Sequence, residues 1–325
     1  MRLLSSSLTL IATTLLSTSS LAAPTATTAK NIGDTPSKSN DFSSTAPPTS
    51  QLPFPISVYS QAAGLAQQTY CNNSKAGLTI GDAKLLWTYG DGDAQQRVNI
   101  YNSSSLGLSV AWEGTNTSSV HSIAYDVEFV PVPGDTVLDL PFGSLVDAGF
   151  QGAFLSSWKQ VKEQLAARGA GNSSTSNKVT IIGHSLGASQ ASLGALAVEH
   201  AFGSGSVSRA VLYGLPRVGN KVYADHVDKV FAPTEEKRRW SYVVSGKDFV
   251  PHVPPRLIGY QHPAGQVWIN PANTTSWMYY PGQENVKGAN TVLAPPLSFD
   301  DHEGVYMHTQ IGASLGHCPA TVGQD

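Results

Sequence analysis

One stretch of the sequence, residues 177–192, constrains the fold more than any other. It begins with Val179-Thr180-Ile181-Ile182, a β-branched run typical of a strand that is buried on both faces. It continues as Gly183-His184-Ser185-Leu186-Gly187, and residues 186–200 are then rich in Ala and Leu, which favours a helix. The sequence therefore predicts a strand, a tight turn and a helix that meet at Ser185.

Ser185 lies in a turn whose neighbouring residues must be small, because a strand and a helix crowd together there. Gly183 and Gly187 supply that space. Such a turn exposes the serine hydroxyl at the carboxyl end of a sheet and places the first N–H groups of the helix beside it, where they stabilise developing negative charge. The pattern predicts a nucleophile elbow centred on Ser185. A glycine-rich turn into a helix, without catalysis, is the structural alternative.

The first 55 residues differ in composition from the rest of the chain. Residues 1–22 combine Arg2 with a short apolar run and end at Ser20-Leu21-Ala22, a pattern typical of a cleaved secretory signal peptide. Residues 23–55 are dominated by Thr, Ser, Pro and Ala, which predicts a linker or propeptide. Residues 56–325 suffice for one domain, and no stretch is long enough for a membrane span. We therefore expect a secreted, extracellular protein.

Charge and cysteine content restrict the partners and the cross-links. The formal net charge is −3, and the one basic run, residues 237–239, follows two glutamates, so a nucleic-acid partner is not expected. In an oxidising compartment the only two cysteines should pair across most of the domain, which the chain-entropy model values at roughly 5 kcal/mol. These are Cys71 and Cys318. Sequons predict glycosylated surface sites at Asn72, Asn102, Asn116, Asn172 and Asn273.

Helical and strand patterns alternate through the remaining sequence. Alternation of strands and helices requires parallel crossover connections, so we predict an α/β fold with a mostly parallel central sheet flanked by helices and opened by antiparallel strands. The spacing of potential ligands contains no metal motif. Helices are predicted over residues 58–69, 149–168, 186–200 and 223–231, and strands over 83–89, 97–101, 108–112, 125–130, 178–182, 210–213 and 241–245, with Pro131 and Pro133 ending the strand at 125–130.

A serine nucleophile needs a base and a supporting acid, which follow an elbow serine in the order acid and then histidine. Asp248 comes directly after the strand at 241–245, at the carboxyl end where sites in α/β sheets collect. We predict it as the orienting acid. His302, in a late polar loop, is the predicted base, and His308 remains an alternative. The residues thus predict a triad of Ser185, His302 and Asp248.

Three motifs resemble the fungal class 3 lipases of the α/β-hydrolase superfamily, which include Rhizomucor-type triacylglycerol lipases and feruloyl esterases. The resemblance covers about residues 56–318 and includes Asp301-His302 followed by Tyr306, as well as the cysteine pair. The distance from His302 to the last cysteine is longer than is usual in the family, and His308 fits that spacing better. The motifs are Gly183-His184-Ser185-Leu186-Gly187, Gly214-Leu215-Pro216-Arg217-Val218-Gly219 and Asp248-Phe249-Val250-Pro251-His252-Val253-Pro254-Pro255.

The resemblance implies an α/β-hydrolase fold, an oxyanion hole, a short lid segment and an acyl pocket. The backbone N–H groups of Thr115 and Leu186 would form the oxyanion hole, with the Thr115 hydroxyl as a further donor. The family more often has Arg where Glu113 stands. A lid would follow at residues 116–123, where few apolar residues are available to dock on lipid: Asn116 is a sequon, and Val120 and Ile123 are the sizeable apolar residues. The acyl pocket would be lined by Val250, Val253, Leu257 and Ile258.

The function that the resemblance implies is that of a secreted serine carboxylic ester hydrolase, a lipase that forms an acyl-enzyme and needs no metal or cofactor. The polar lid favours mono- or diacylglycerol as the lipid ester substrate and indicates an enzyme that acts only weakly at an oil–water interface. Two alternatives stay open at this point. One is a feruloyl-type esterase acting on plant cell-wall esters, and the other is a non-catalytic binding protein with a hydrolase fold.

Overall fold

The computed structural model describes residues 43–115, 128–171, 177–291 and 297–323. Its helices are α1 (Ile56–Thr69), α2 (Ala148–Ala167), α3 (Leu186–Phe202) and α4 (Lys221–Phe231). Its strands are β1 (Thr79–Ile80), β2 (Ala83–Tyr89), β3 (Val98–Ser103), β4 (Gly107–Trp112), β5 (Pro131–Pro133), β6 (Leu145–Asp147), β7 (Val179–His184), β8 (Val207–Tyr213), β9 (Gly219–Asn220), β10 (Trp240–Ser245), β11 (Tyr260–Gln261), β12 (Gln266–Ile269), β13 (Trp277–Tyr280), β14 (Gly304–Tyr306) and β15 (Thr309–Ile311).

A nine-stranded sheet forms the centre of the fold, in the order β1-β2-β3-β4-β7-β8-β10-β12-β13. Strands β4, β7, β8, β10 and β12 are parallel to one another. Strands β1 to β4 form an antiparallel meander, and β13 pairs antiparallel with β12. The predicted α/β class and antiparallel opening are therefore confirmed. Each predicted helix is present, with ends within two residues of the prediction.

The core lies in two layers, one on each face of the central sheet. Side chains of α2, α3 and α4 pack on one face, and α1 with the hairpin β14–β15 covers the other. Successive residues of β7 show this division, because Ile181 belongs to the first layer and Ile182 to the second. The β-branched run at this point is thus buried on both faces, as its composition predicted.

A second, four-stranded sheet has the order β11-β9-β6-β5. It corrects one prediction, since Pro131 and Pro133 do not end a strand but belong to β5 itself. Strand β5 lies at the edge of this sheet, where a proline without an N–H group breaks no ladder hydrogen bond. Of the strand predicted at 125–130, residues 128–130 are not in a strand, and residues 125–127 lie outside the described part.

The end of the Ser/Thr/Pro-rich segment lies against the folded domain. Thr49 exchanges two main-chain hydrogen bonds with Tyr279 of β13, at the edge of the central sheet. Ser44 binds the main chain of Gln283 and of Val286. Residues 44–49 therefore cover an edge strand whose N–H and C=O groups would otherwise be unpaired.

A disulfide joins Cys71, just after α1, to Cys318 near the C-terminus. The predicted pairing is confirmed, and it ties the first helix to the last segment of the domain. In the described ranges, no helix combines the length and the apolar character needed to cross a membrane.

Candidate active site

Ser185 occupies the sharp turn between β7 and α3. Its backbone has φ 59° and ψ −133°, a conformation that is uncommon for a residue with a side chain. The N–H group of Ser185 donates to the main-chain oxygen of Tyr213, at the end of β8, over 3.0 Å. A methyl group at Gly183 would overlap the carbonyl of Gly187. The geometry is that of a nucleophile elbow, and it explains why small residues flank the serine.

The end of β4 passes directly beside the elbow. A methyl group at Gly187 would overlap the carbonyl oxygen of Trp112, and one at Gly114 would lie 2.9 Å from the Ser185 Cβ atom. This close packing brings Thr115 and Leu186, the two predicted oxyanion donors, to the neighbourhood of the serine. The Thr115 hydroxyl is buried and makes no hydrogen bond within the described protein. It is therefore available to a ligand.

His302 and Asp248 are joined by a buried hydrogen bond. The distance from His302 Nδ1 to Asp248 Oδ2 is 2.8 Å, and the other carboxylate oxygen of Asp248 accepts the Val250 N–H group over 2.9 Å. A methyl group at Gly214 would lie 2.6 Å from His302 Cε1, so the imidazole packs on Gly214. Gly214 follows Tyr213, whose carbonyl oxygen accepts the Ser185 N–H group. His302 Nε2 is buried and has no partner in the described residues. That nitrogen can accept a proton.

His308, the alternative base, is placed elsewhere. It lies in the turn between β14 and β15, and its ring meets the edge of Trp277 with 5.4 Å between ring centroids. His302, unlike His308, is preceded by an aspartate that has a structural role: Asp301 Oδ2 accepts the Lys247 N–H group over 2.6 Å. That bond anchors the His302 loop to the loop that carries Asp248.

Comparison of the sequence with known proteins identifies its family. Residues 109–258 match the lipase (class 3) family. The secreted mono- and diacylglycerol lipase MDL2 of Malassezia globosa is 48% identical over 276 residues, covering 84% of this chain and 88% of the relative. The secreted mono- and diacylglycerol lipase 3 of Gibberella zeae is 42% identical over 284 residues, covering 84% and 87%.

The chain belongs to the class 3 lipase family.

Solved structures have the same fold as this class 3 lipase. The lipase of Rhizopus microsporus var. chinensis matches with a TM-score of 0.67 and 24% identity, covering 86% of this chain and 96% of that one. A Rhizomucor miehei lipase in complex with its propeptide matches with a TM-score of 0.62 and 22% identity, covering 81% and 80%. At these identities the likeness concerns the fold.

A buried ion pair supports the Asp248 loop of this class 3 lipase. Arg217 binds both carboxylate oxygens of Glu284, at 2.7 and 3.1 Å, and donates to the main-chain oxygens of His252 and Pro254. Burial opposes ionisation of Glu284, but the charge and hydrogen bonds of Arg217 lower its pKa to about 2. Arg217 belongs to the motif at 214–219, and this contact explains why an arginine stands there.

Glu113, where the family more often has Arg, also has a structural partner. Its carboxylate accepts the main-chain N–H group of Arg97 over 2.5 Å and lies 3.7 Å from the Arg97 guanidinium. Burial raises the pKa of Glu113 to about 7. The pair joins the residue before β3 to the residue after β4, next to Gly114.

The four predicted acyl-pocket residues differ in exposure. Leu257 is 96% exposed and Ile258 51% exposed. Val250 is buried and Val253 is half-buried, and both lie on the loop after Asp248. The lid residues Asn116, Val120 and Ile123 lie outside the described residues, as does the sequon at Asn172. Exposed sequons are Asn72, Asn102 and Asn273.

Sequence reasoning gave no role to His184. The ring of His184 stacks on that of His302, and its two nitrogens face Tyr70 and the His302 main chain. The one available signal was its place at the end of a buried strand beside the nucleophile, where a polar side chain needs a partner.

Proposed function

We propose that this class 3 lipase is a secreted hydrolase of mono- and diacylglycerols that acts through Ser185, His302 and Asp248. The observation that carries the proposal is the 2.8 Å hydrogen bond from His302 to a fully buried Asp248, on an imidazole whose Nε2 is unpaired and packs beside the elbow. The names of the relatives from Malassezia and Gibberella support the substrate class and secretion.

In the acylation step, Ser185 Oγ attacks the ester carbonyl while His302 Nε2 takes its proton. Asp248 accepts the Nδ1 proton of His302, which fixes the tautomer and stabilises the imidazolium that forms. The carbonyl oxygen becomes an oxyanion, to which the N–H groups of Thr115 and Leu186 donate. Losing one such donor typically costs about 10² to 10³ in rate. His302 then protonates the leaving glycerol or monoacylglycerol oxygen as the C–O bond breaks.

In the deacylation step, water attacks the acyl-Ser185 ester while His302 Nε2 accepts one of its protons. The second tetrahedral intermediate collapses, the proton returns to Ser185 Oγ, and the fatty acid is released. The balance is one ester and one water consumed for one alcohol and one acid. Each proton therefore moves through the same imidazole nitrogen.

Ser185 is 3% exposed and His302 1% exposed, so the reacting groups are largely shielded from bulk water. Exclusion of water strengthens the hydrogen bonds that stabilise the transition state.

Initial rates on monoacyl-, diacyl- and triacylglycerols and on a cinnamate-type ester, each taken through its solubility limit, test the proposal. We expect faster hydrolysis of the mono- and diacylglycerols than of the other two, and none with Ser185→Ala. Preference for the aromatic ester would favour the esterase alternative. Equal background rates from the wild type and Ser185→Ala would refute hydrolysis at this site.

A further inference from the structure

His184, a buried histidine that the mechanism above does not use, lies directly beside the base. Its ring stacks on that of His302, with 4.6 Å between the centroids and 26° between the planes. His184 Nε2 lies 2.9 Å from the main-chain oxygen of His302, and Nδ1 lies 2.7 Å from the Tyr70 hydroxyl. One face of the His184 ring therefore contacts the imidazole of His302, and each of its two nitrogens has a hydrogen-bond partner.

The partners of His184 define where its proton lies. A carbonyl oxygen only accepts, so Nε2 carries the proton and donates it to His302. Nδ1 of a neutral ring is then an acceptor, and the Tyr70 hydroxyl donates to it. Burial, followed by the neighbouring His302 ring, lowers the pKa of His184 well below its usual range, and burial raises the pKa of the Tyr70 hydroxyl. A neutral His184 beside a protonated phenol is the favoured state.

The Tyr70 hydroxyl lies between His184 and Gly114, the residue before the predicted oxyanion donor Thr115. Tyr70 caps the C-terminal end of α1, and a methyl group at Gly114 would overlap its hydroxyl oxygen. The hydroxyl therefore fills the space beside the oxyanion residues while it donates to His184. The carbonyl of His302 receives a second hydrogen bond, over 3.0 Å, from Tyr306.

The titratable groups that face His184 are few. Tyr70, His302 and Tyr306 surround its ring. Burial is the main influence on the pKa of Tyr70, and the carboxylates of Glu113 and Glu303 raise it further. No carboxylate is among the causes that act on the pKa of His184, and only its hydrogen bond to the His302 main chain favours a positive charge on its ring.

We propose that Tyr70 and His184 are positioning residues for the base: His184 holds His302 as a neutral donor, and Tyr70 keeps it neutral by occupying Nδ1. This inference rests on the proposed function of the site. His302 becomes positively charged when Ser185 attacks, and a second imidazolium stacked on it would oppose that step. A neutral His184 fixes the His302 main chain without this repulsion.

The test is Tyr70→Phe, assayed on a soluble short-chain ester below its solubility limit between about pH 4 and pH 9. We expect kcat to fall about 10-fold with KM changed by less than about twofold. The acid limb of kcat/KM moves to higher pH, because Nδ1 of His184 can now take up a proton. Tyr223→Phe, which removes another buried hydroxyl bonded to Ser192, is the matched control and keeps the wild-type profile.

A second pair of variants separates positioning from a structural role. The amide of a glutamine can donate to the His302 carbonyl but takes up no proton. The double variant Tyr70→Phe/His184→Gln therefore returns the acid limb to its wild-type position while kcat stays low, and His184→Gln alone lowers kcat without raising the acid limb.

Three results would overturn the inference: a fall in kcat of Tyr70→Phe with an unmoved acid limb, a Tyr70→Phe profile equal to that of Tyr223→Phe, or wild-type kcat in His184→Gln. If Tyr70→Phe does not fold, the kcat of His184→Gln tests the inference. Absence of Ser185-dependent hydrolysis in the wild type would instead refute the proposed function, so the two failures are distinguishable.

Discussion

Ser185 and His302 reach the candidate site from two parts of the molecule that are built in different ways. Ser185 stands between β7 and α3, where backbone atoms of β4, β7 and α3 approach so closely that Gly183 and Gly187 leave no room for a side chain. His302 and Asp248 stand on loops that are joined by side-chain hydrogen bonds and by the Arg217–Glu284 ion pair. We call these the nucleophile half and the base half.

The difference teaches which changes each half tolerates. Backbone packing is insensitive to charge and pH but has no room for added atoms, because interiors are close-packed. Buried polar contacts between loops tolerate small changes in volume but depend on the ionisation of each partner. The two halves should therefore fail under different perturbations.

The largest effect is expected when the charge of the base half is removed at constant shape. Asp248→Asn keeps the size of the side chain but no longer supports the imidazolium or the correct tautomer, so kcat on a soluble ester falls by about 10³ to 10⁴. Asp301→Asn, in the same half but without contact to the imidazole, serves as the control and falls much less. A decrease for Asp248→Asn no greater than that of the control would contradict the assignment of the acid.

Loss of the buried ion pair should be the next largest effect. Glu284→Gln leaves Arg217 buried without a counter-charge, which costs about 3 to 5 kcal/mol in the free energy of unfolding. The exposed pair of Lys221 and Asp225 is the comparison, and Asp225→Asn should cost less than about 1 kcal/mol. Urea unfolding of the two variants decides the point, and equal costs would show that the buried pair does not hold the base half.

The stability of the base half should also depend on pH. Glu284 has a folded pKa of about 2, below its ordinary 4.5, so its contribution is present above pH 4.5 and is lost as the pH falls toward 2. His262 belongs to the same half, because its N–H group donates to Glu284 Oε1 over 2.8 Å. Burial lowers the pKa of His262 from 6.5 to about 4, so its protonation favours unfolding as the pH falls through that range. Each contribution is about 3 kcal/mol.

Urea midpoints between pH 7 and pH 3 measure this dependence. We expect the decrease from pH 6.5 to 4 to disappear in His262→Gln and the decrease below pH 4.5 to shrink in Glu284→Gln. Retention of the whole pH dependence in both variants would assign it to other groups.

The nucleophile half should respond to volume. In Gly187→Ala the added methyl group meets the main chain of Trp112 and Glu113, which cannot yield, so the free energy of unfolding falls by about 3 kcal/mol. Gly152→Ala in α2 adds the same methyl group into open space and should stabilise by up to about 1 kcal/mol. Thermal unfolding compares them, and tolerance of Gly187→Ala would refute the packing argument.

The smallest effect on kcat is expected for a substitution of His308, the alternative base. His308 has φ 67°, a conformation that asparagine tolerates, so His308→Asn should preserve the turn between β14 and β15. We expect kcat on a soluble ester within about twofold of the wild type. A loss comparable to that of Asp248→Asn would restore His308 as the base.

The same contrast between the two halves explains which parts of the fold and of the site could be predicted from the sequence. Apart from β4, the nucleophile half lies within one segment, so the β-branched run, the two glycines and the Ala-rich helix of residues 179–200 predicted that part locally. The parallel order of the central strands followed from the alternation of strands and helices. Strand β5 was missed, since a proline reads as a strand end unless the strand is known to be at an edge.

The base half depends on contacts between distant residues, which the sequence does not display. Spacing to the last cysteine favoured His308 over His302, whereas the contact that favours His302 is its hydrogen bond to Asp248, 54 residues earlier in the chain. Glu284 also follows Ser185 in the chain, and only the structure shows that its carboxylate is paired with Arg217. Leu257 was assigned to a pocket from its neighbours in sequence, which do not show that its side chain is 96% exposed.

The most direct test of the account is labelling by a serine-directed fluorophosphonate, followed by peptide mapping and an assay of residual hydrolysis. We expect one adduct per chain, on Ser185, with activity lost in proportion to labelling and with much slower labelling of His302→Ala. An adduct on another residue, or hydrolysis that persists after Ser185 is fully labelled, would contradict the account.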